Sequence, residues 1–464
     1  MRLGLLRSPV VIGTLAAVTL LAGSSAPRAQ AFQAPQPDKP NVLIVITDDQ
    51  RARGTMSVMS KVRRWFGKRG TTFDNAYATT PTCCPSRASV FTGMYAHNHE
   101  VHTNAPGEAQ LLDSTRTVQH QLNEAGYTTA LFGKYLNEWK VEEAPPAFDR
   151  WGMFADIFEV AYRSGLWNID GAVRTVPTYS TLFIQRLAQR FIRDGESNDE
   201  EPWLMILTPL APHAPSIPHR RDRRAKVPRF KITPDIREED RSDKPAFTHD
   251  RGPSMKLIRN DRVRQLRTLM SVDRMVAAVR STLDKTQELD NTLAFYTSDN
   301  GLMWGAHALS GKGVAYEPAV RIPLMATWPD KFTAGNRDQR LVANIDIAPT
   351  IYEATGITPS YPVDGRSLMG SFQRDRILLE HWKRADRETP SWAAHRTLDY
   401  KYIETYAPAA GHLVLDSREY YDLAEDPWEL TNLFASNPIV MDPDPIQLRA
   451  DFECSGTEGA TACP

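Results

Sequence analysis

Two short acidic segments of the chain carry oxygen atoms of the kind that bind a divalent cation. Asp48 and Asp49 directly follow one apolar run, and Asp299 and Asn300 directly follow another. Taken singly, each segment also fits a helix N-cap or a tight turn. Taken together, they offer three carboxylates and one amide oxygen, a hard ligand set that favours Ca²⁺, with Mg²⁺ as second choice, over zinc.

A third segment contains two adjacent cysteines. It reads Thr-Cys-Cys-Pro-Ser-Arg over residues 82–87, so that only Cys83 has a proline two residues on and an arginine four residues on. The residues that follow favour a helix. Cys83 would then lie at a helix N-terminus, where negative charge is stabilised, with Arg87 one turn further on the same side. The alternative, a buried cysteine near a surface arginine, leaves this pattern unexplained, and a disulfide between Cys83 and Cys84 would be strained.

The segment at residues 82–87 resembles the Cys-x-Pro-Ser-Arg signature of the type I, formylglycine-dependent sulfatase family, and residues 88–93 fit its extended form. The resemblance spans most of residues 40–430. Within the family it is closest to the N-acetylglucosamine-6-sulfatases and the heparan endosulfatases. It rests there on residues 95–99, which look like their His-Asn-His segment, and on residues 133–138, which look like their Gly-Lys-Tyr-Leu-Asn-Glu.

The resemblance implies a modified residue and a metal site. A formylglycine-generating enzyme would oxidise Cys83 to formylglycine (3-oxoalanine), whose hydrate attacks the sulfur of a sulfate ester. Arg87 would orient and stabilise this group. The implied metal ligands are Asp48, Asp49, Asp299, Asn300 and the modified Cys83. The implied cofactors are therefore a divalent cation, Ca²⁺ before Mg²⁺, and the formylglycine itself.

The resemblance also implies residues that hold the sulfate group. They are Lys134, His213 and Lys312, and His307, which precedes Lys312 closely, is a further substrate contact. Fixed cations suit a sulfate ester, because negative charge grows on the bridging oxygen as the S–O bond breaks. His213 could also protonate the leaving alcohol.

One position departs from the pattern of many arylsulfatases, which carry a histidine two residues after the lysine. Here that position is Leu136. The role of the missing histidine would pass to His97, His99 or His307, and the sequence does not favour one of the three.

Several of these residues stand at the ends of apolar runs that predict buried strands, because the runs lack alternation, as expected for strands covered on both faces of a sheet. The runs cover residues 41–47, 128–132, 203–208, 292–297 and 323–328. Helical patterns lie between them at residues 86–95, 179–192 and 262–283. Strand alternating with helix predicts an α/β fold with a mainly parallel sheet flanked by helices. The resemblance implies the alkaline-phosphatase-like form of this fold.

The pattern of predicted secondary structure changes after residue 372. Short strand-like pieces at residues 392–396 and 401–405 are separated by turn residues, which predicts a small antiparallel sheet. We therefore predict a catalytic domain at residues 32–372 and a small C-terminal α+β subdomain at residues 373–464.

Residues 1–31 predict a secretory signal peptide, because a basic start, an apolar run at residues 10–22 and Ala29-Gln30-Ala31 follow one another in the expected order. The apolar run is too short to span a membrane, so no stable membrane insertion is expected. The chain is predicted to be secreted, outside the cell or into a periplasm. In such an oxidising compartment, Cys454 and Cys463 predict a disulfide that holds the C-terminal tail.

Composition narrows the classes of protein. Of the 464 residues, 41% are hydrophobic, which permits a large core and excludes a disordered, collagen-like or coiled-coil chain. The formal net charge of -1 argues against a nucleic-acid binder. Residues 219–231 form a densely basic stretch, which is interpreted either as a solvated surface loop or as a contact for a polyanionic substrate at the rim of the site.

These observations favour a secreted sulfatase whose substrate is a sulfated carbohydrate, such as 6-sulfated N-acetylglucosamine, or an aryl sulfate. One alternative is a phosphatase or phosphonate monoester hydrolase of the same superfamily, which usually needs a second, histidine-rich metal set that the sequence does not show. Another alternative is a catalytically silent protein that binds sulfated glycans with Cys83 unconverted. The full set of acids, lysines and histidines favours the enzyme.

Overall fold

A ten-stranded sheet forms the centre of the molecule, and the apolar runs of the sequence make up its middle. The structure is a computed structural model that describes residues 39–155, 161–195, 201–250, 252–409, 412–436, 445–459 and 461–464. The strands of the sheet are β1 (Asn41–Thr47), β2 (Thr71–Tyr77), β3 (Thr128–Gly133), β4 (Arg150–Phe154), β5 (Gly165–Ile169), β6 (Ala172–Val176), β7 (Trp203–Thr208), β8 (Thr292–Ser298), β9 (Leu324–Thr327) and β10 (Asn336–Ala343). The predicted signal peptide at residues 1–31 lies outside the described residues.

The central strands of this sheet are parallel. They follow the order β8-β1-β7-β3-β4, so β1 lies between β7 and β8, and all five end at the same edge. Outside them, β9 pairs antiparallel with β8 and β2, and β5 pairs antiparallel with β4 and β6. The predicted, mainly parallel α/β sheet is confirmed in this mixed form.

Helices cover both faces of the sheet. The longer ones are Cys83–Thr92, Val118–Glu124, Ser180–Gly195, Met255–Lys285, Ile347–Thr355 and Pro445–Asp451, and the shorter ones are Ala52–Thr55, Ser60–Val62, Ala96–His99, Pro234–Arg237, Glu317–Val320 and Leu433–Ser436. Successive residues of β1 belong to two separate cores. Ile44 packs in one core with Phe91, and Val45 packs in the other with Leu269. This alternation explains why the strand is apolar at every position.

Two helices near the site begin before their predicted starts. Helix Cys83–Thr92 has Pro85 in its first turn, where a missing backbone N–H costs no intrahelical hydrogen bond. Helix Met255–Lys285 begins after Ser254, whose side chain accepts a hydrogen bond from Leu257 N and so caps the helix. The earlier start of the first helix places the cysteine at its N-terminus.

A second, four-stranded sheet lies in the C-terminal part of the chain. Its strands are β11 (Ile377–His381), β12 (Ser391–Arg396), β13 (Tyr400–Ala409) and β14 (His412–Asp422), and every pair is antiparallel. This confirms the predicted antiparallel sheet, whereas the boundary at residue 373 stays a prediction. The sheet contacts the segments around the site, since Glu380 N donates to Thr79 O and Trp392 Nε1 donates to Gly313 O. Beyond it, Cys454 and Cys463 form a disulfide.

Candidate active site

The two acidic segments meet at the carboxyl edge of the sheet, because β1 and β8 are parallel neighbours. Thr47 pairs in register with Ser298, which brings the residues that follow them side by side. Asp49 N donates to Asp299 Oδ1 at 3.1 Å, and Asn300 Nδ2 donates to Asp49 Oδ1 at 2.7 Å. Both segments are buried. The predicted pairing of two strand ends is therefore present in the fold.

Cys83 lies beside these acids, at the N-terminus of its helix. Its Sγ is 3.4 Å from Asp48 Oδ1, and one ligand atom from each of Asp48, Asp49, Cys83 and Asp299 lies within 4.8 Å of the others. Asn300 Oδ1 is buried and has no hydrogen-bond partner among the described residues. A buried, unpaired oxygen next to three carboxylates fits a hard cation, which would satisfy it.

Arg87 joins the two acidic segments from one helical turn further along. Its Nη2 is 2.9 Å from Asp299 Oδ2 and 3.4 Å from Asp48 Oδ2, and its Nη1 donates to Lys134 O at 3.1 Å. The side chain is fully buried. It offsets part of the repulsion between the two carboxylates, and it holds the backbone that carries Lys134.

Two lysines reach the cluster from separate segments. Lys134, directly after β3, donates from Nζ to Asp48 Oδ2 at 2.8 Å. Lys312 donates to Cys83 Sγ at 2.7 Å and contacts Asp49. The two ammonium groups therefore place positive charge against Cys83 and the acids beside it.

His213 lies at the edge of the cluster, with Nε2 3.6 Å from Asp49 Oδ2. Its Nδ1 is 2.6 Å from the carbonyl oxygen of Ala214. Because a carbonyl oxygen can only accept, Nδ1 carries a hydrogen. Nε2, on the side of the acids, is therefore the nitrogen that can gain or release a proton.

The buried charges shift the pKa values of the two strand-end acids in opposite directions. Burial raises the pKa of Asp48, but the charges of Lys134, His213 and Arg87 outweigh burial and hold this pKa below its usual range. Burial, and after it the charge of Asp48, raises the pKa of Asp299. Neighbouring carboxylates whose pKa values are pushed apart are typical of catalytic and metal-binding clusters.

The cluster opens into a cleft of about 960 Å³. Asp49, His213 and Lys312 line this cleft, together with Trp382 and Arg384 from the loop that follows β11. A volume of this size lies in the range of ligand sites, ~300–1,000 Å³. The C-terminal sheet therefore supplies one wall of the site.

His307, which was expected to contact substrate, lies outside the cleft. It is fully buried, its Nδ1 is 2.6 Å from Glu238 Oε2, and its ring packs on Tyr316. His307 has a φ of 49°, and this left-handed turn carries the ring into the interior. Its placement does not support a direct substrate contact.

His97 and His99, the other two residues considered as replacements for the histidine absent at position 136, also make internal contacts. His97 Nδ1 is 2.8 Å from Glu380 Oε2, and His99 Nε2 is 3.0 Å from Ser89 Oγ. Neither ring lines the cleft among the described residues. Both are held by structural partners.

A histidine that the sequence did not single out lies next to Thr82, the residue before Cys83. His381, the last residue of β11, lines the cleft, and its Nδ1 is 3.3 Å from Thr82 Oγ1. No local motif could reveal it, because nearly three hundred residues separate it from Thr82 and only the packing of the second sheet brings them together.

The basic stretch at residues 219–231 does not contribute to the cleft, since none of its arginines or lysines lines that cavity. Asp222, within this stretch, instead accepts a hydrogen bond of 2.8 Å from Arg274 Nη1 of helix Met255–Lys285. Arg229 and Lys231 line a second cavity. The interpretation of this stretch as the rim of the catalytic pocket is therefore not supported.

Comparison with known families agrees with the geometry. Residues 40–357, more than half of the chain, match the family described as Sulfatase, and residues 305–442 match the family described as N-sulphoglucosamine sulphohydrolase, C-terminal. The chain belongs to the sulfatase family.

This sulfatase-family chain is 32% identical to an N-acetylglucosamine-6-sulfatase of Bos taurus, with 88% of the chain and 82% of the relative covered. It is 32% identical to a Drosophila melanogaster protein named extracellular sulfatase SULF-1 homolog, with 74% of the chain and 32% of the relative covered. The chain spans 32%, 48% and 64% of the length of the relatives that it matches in Drosophila, Caenorhabditis elegans and human.

Solved structures share the fold of this sulfatase-family chain. A protein solved in complex with its substrate D-glucosamine-2-N,6-O-disulfate superposes with a TM-score of 0.75 at 23% identity and covers 89% of the chain and 97% of its own. The phosphonate monoester hydrolase of Agrobacterium radiobacter superposes with a TM-score of 0.70 at 22% identity, and the superposition covers 89% of this chain and 96% of the hydrolase. At these identities the likeness concerns the fold alone.

Two further observations concern the alternatives and the membrane. Within the described ranges, the other group of potential metal ligands is His97 with the disulfide-bonded Cys454 and Cys463, so a second, histidine-rich metal set is not found there. In the same part of the chain, no helix has the length and apolar character needed to cross a membrane.

Proposed function

We propose that the chain is a secreted sulfatase that hydrolyses sulfate esters of sulfated sugars, such as 6-sulfated N-acetylglucosamine. The observation that carries this proposal is the convergence of Cys83 with three buried carboxylates and two lysines in one cluster, which reaches the cleft through Asp49 and Lys312. The names of the relatives support the class of substrate, since they include N-acetylglucosamine-6-sulfatases and an extracellular sulfatase.

The proposed cofactors are a divalent cation and a formylglycine made from Cys83 by a formylglycine-generating enzyme. The residues that would hold the cation, Ca²⁺ before Mg²⁺, are Asp48, Asp49, Asp299, Asn300 and the modified residue 83. When present, the cation supplies electrostatic stabilisation of the sulfate oxygens, and the formylglycine hydrate supplies the nucleophilic hydroxyl.

Lys134 and Lys312 would hold the sulfate group in place. Burial lowers the pKa of Lys312, but the charges of the nearby acids, Asp49 foremost, outweigh burial and raise it well above the ordinary value, so the ammonium group stays charged. A fixed donor against developing charge contributes roughly 3 kcal/mol to transition-state stabilisation. Arg87 would orient and stabilise residue 83, and its fixed contacts hold Asp48 and Asp299.

His213 would handle the proton of the leaving group. Its Nδ1 hydrogen is engaged by the Ala214 carbonyl, which fixes the ring and leaves the proton exchange to Nε2. The attacking hydroxyl of residue 83 would form a new bond to sulfur as the bond to the bridging oxygen breaks. Nε2–H would protonate that oxygen, so the sugar leaves as a neutral alcohol and the sulfate group stays on residue 83 between the lysines.

The test is an assay of the secreted protein on an aryl sulfate, an aryl phosphate and a set of defined sulfated saccharides. We expect hydrolysis of the aryl sulfate and of a 6-sulfated N-acetylglucosamine, abolished in Cys83→Ala and retained in Cys84→Ala. Faster hydrolysis of the aryl phosphate than of the aryl sulfate would favour the alternative function as a phosphatase. Binding of sulfated saccharides without turnover, with Cys83 unconverted, would favour a glycan-binding protein.

A further inference from the structure

A second cavity, of about 320 Å³, lies beside the catalytic cleft. We call it the Arg–Trp pocket after the residues that define it, which are Arg51, Arg53, Arg229, Arg262, Trp304 and Trp428. It is built from distant parts of the chain, and the basic stretch singled out in the sequence contributes Arg229 and Lys231 to it.

The pocket holds an excess of positive charge. No carboxylate of the described residues lines it, and the acid that partners Arg51, one of its two buried arginines, is Asp235, 3.6 Å from Arg51 Nη2. Burial lowers the pKa of Arg51 to about 10, and although Asp235 opposes this shift, the like charges of Arg53 and Arg262 add to it. An anion in the pocket would relieve this repulsion.

Aromatic rings form the walls between these cations. The guanidinium of Arg53 lies 4.9 Å from the ring centre of Trp428, and that of Arg51 lies 5.4 Å from the ring centre of Trp304. Arg262 lies 5.0 Å from the ring centre of Phe230. Flat apolar surfaces next to fixed cations suit a ligand that has both an apolar face and an anionic substituent.

One side chain borders both the pocket and the cleft. Trp304 lines both cavities, and its Nε1 donates to Gln265 Oε1 at 2.6 Å. Its φ of 50° is uncommon for so bulky a residue and shows that the surrounding structure holds it in place. Helix Met255–Lys285 contributes Arg262 to the pocket and Gln265 to the cleft.

We propose that the Arg–Trp pocket is a second binding site for a sugar unit that carries a sulfate or carboxylate group. The pyranose ring packs on the half-buried Trp428, and the anionic substituent pairs with Arg51, Arg53 and Arg229. The choice of ligand rests on the proposed function, because a polyanionic sugar chain that reaches the cleft passes the neighbouring cavity. The site would strengthen the binding of a chain and leave a single sugar in the cleft unaffected.

The test measures binding without turnover, so that it stays informative if the proposed activity fails. Calorimetric titration of the Cys83→Ala protein with a sulfated glucosamine–uronate tetrasaccharide gives the reference affinity. Adding Arg53→Ala and Trp428→Ala should weaken this affinity by roughly tenfold or more, as expected for loss of an aromatic and an arginine anchor. Arg53 is exposed, so its replacement does not threaten the core.

A second variant fills the pocket and keeps every charge. Ser57, an exposed residue of the pocket lining, is replaced in Ser57→Trp, which should weaken tetrasaccharide binding to a similar degree. The matched control is Lys331→Ala, since Lys331 forms the same kind of contact with Trp328 at 5.8 Å but lines neither cavity. It should bind as the reference does.

Two further arms complete the test. The desulfated tetrasaccharide keeps its carboxylates and so shows which anion the pocket prefers. If the pocket variants lose affinity for both tetrasaccharides, the pocket binds the carboxylate. If they lose affinity for the sulfated tetrasaccharide alone, the pocket binds the sulfate. Hydrolysis of a sulfated monosaccharide by protein with an intact Cys83 should change less than twofold in Arg53→Ala. Unchanged tetrasaccharide affinity in both the Arg53→Ala, Trp428→Ala protein and Ser57→Trp, with thermal midpoints near the reference, would overturn the proposal.

Discussion

Cys83 and Cys84 are adjacent and buried alike, but their surroundings differ. Burial, followed by the charges of Asp299 and Asp48, raises the pKa of Cys83 well above its ordinary value, and a protonated thiol is a poor nucleophile. Burial also raises the pKa of Cys84, to about 12, so the pKa values do not distinguish the two thiols. Only Cys83 has a proline two residues on and an arginine four residues on, so we predict that Cys83 is converted to formylglycine and that Cys84 stays a thiol. Peptide mass spectrometry of the purified protein checks this, and active protein with an unmodified Cys83 would contradict it.

The metal assignment predicts a linked loss of activity and stability in Asp299→Ala. The substitution removes a ligand and leaves Arg87 without its closest carboxylate. A cation at a hundredfold excess over its Kd stabilises the folded protein by about 2.7 kcal/mol, and the variant should lose most of this. Thermal melting with Ca²⁺ and with a chelator measures the effect.

The control for the metal prediction is Asp284→Ala, which removes an exposed acid on the long helix. It should melt as the unaltered protein does and keep its response to the chelator. A chelator that changed neither the activity nor the melting of the unaltered protein would show that the acids hold no functional cation.

His381 is the residue-scale prediction that comes from the tertiary structure. Because it lines the cleft beside Thr82, we expect His381→Ala to lower kcat/KM for a sulfate ester by roughly tenfold or more, with little change in thermal midpoint. His307→Gln is the comparison, since this buried residue should affect stability and not the turnover of folded protein. The reverse pattern would mean that the histidine roles are misassigned.

At the scale of elements, a buried ion pair ties the turn before helix Ile347–Thr355 to the C-terminal end of the chain. Arg374 makes two hydrogen bonds of 2.8 Å to Asp346, and its Nε donates to Pro464 O. Both side chains of the pair are fully buried. Arg374→Met should lower the free energy of unfolding by about 3–5 kcal/mol, because it leaves an unpaired charge in the interior.

Urea unfolding of two further variants tests this reading. Asp346→Asn combined with Arg374→Met should recover part of the loss, because no buried charge then stays unpaired. Arg337→Met, which breaks an exposed pair with Asp74, should cost less than about 1 kcal/mol. Equal losses in Arg374→Met and Arg337→Met would contradict the role of the buried pair.

At the scale of the whole molecule, His97 joins three regions that are far apart in the sequence. Its Nδ1 lies against Glu380 of β11, with Asp364 nearby, and its Nε2 lies 3.1 Å from the carbonyl oxygen of Cys454. Burial lowers the pKa of His97, but the charge of Glu380 outweighs burial and raises the pKa from 6.5 to about 9.

This shift predicts a pH-dependent stability. A pKa raised on folding stabilises the protein fully below pH 6.5, and the contribution, at most roughly 3 kcal/mol, is lost as the pH rises through about 9. Urea unfolding between pH 6 and pH 10 should show this decline, and His97→Gln should flatten it. An unchanged slope in His97→Gln would show that another group sets the pH dependence.

Much of the catalytic cluster follows from local sequence. Apolar runs predict the central strands, and acids directly after two of them predict a shared site, because parallel strands end at one edge of a sheet. Asp48 and Asp299 meet for this reason. Cys83 could be placed at a helix N-terminus from its own neighbours, since caps and helix starts depend on residues within one turn.

The surroundings of that cluster were decided only by tertiary structure. His307 stands close to Lys312 in sequence, yet a left-handed turn buries its ring beside Glu238. His381 reaches Thr82 only because the second sheet packs on the site. Arg229 and Trp428 line one pocket only because segments far apart in the sequence pack together. Local patterns encode periodicity and caps, whereas contacts between distant segments depend on how whole sheets and helices pack, which no short stretch of sequence contains.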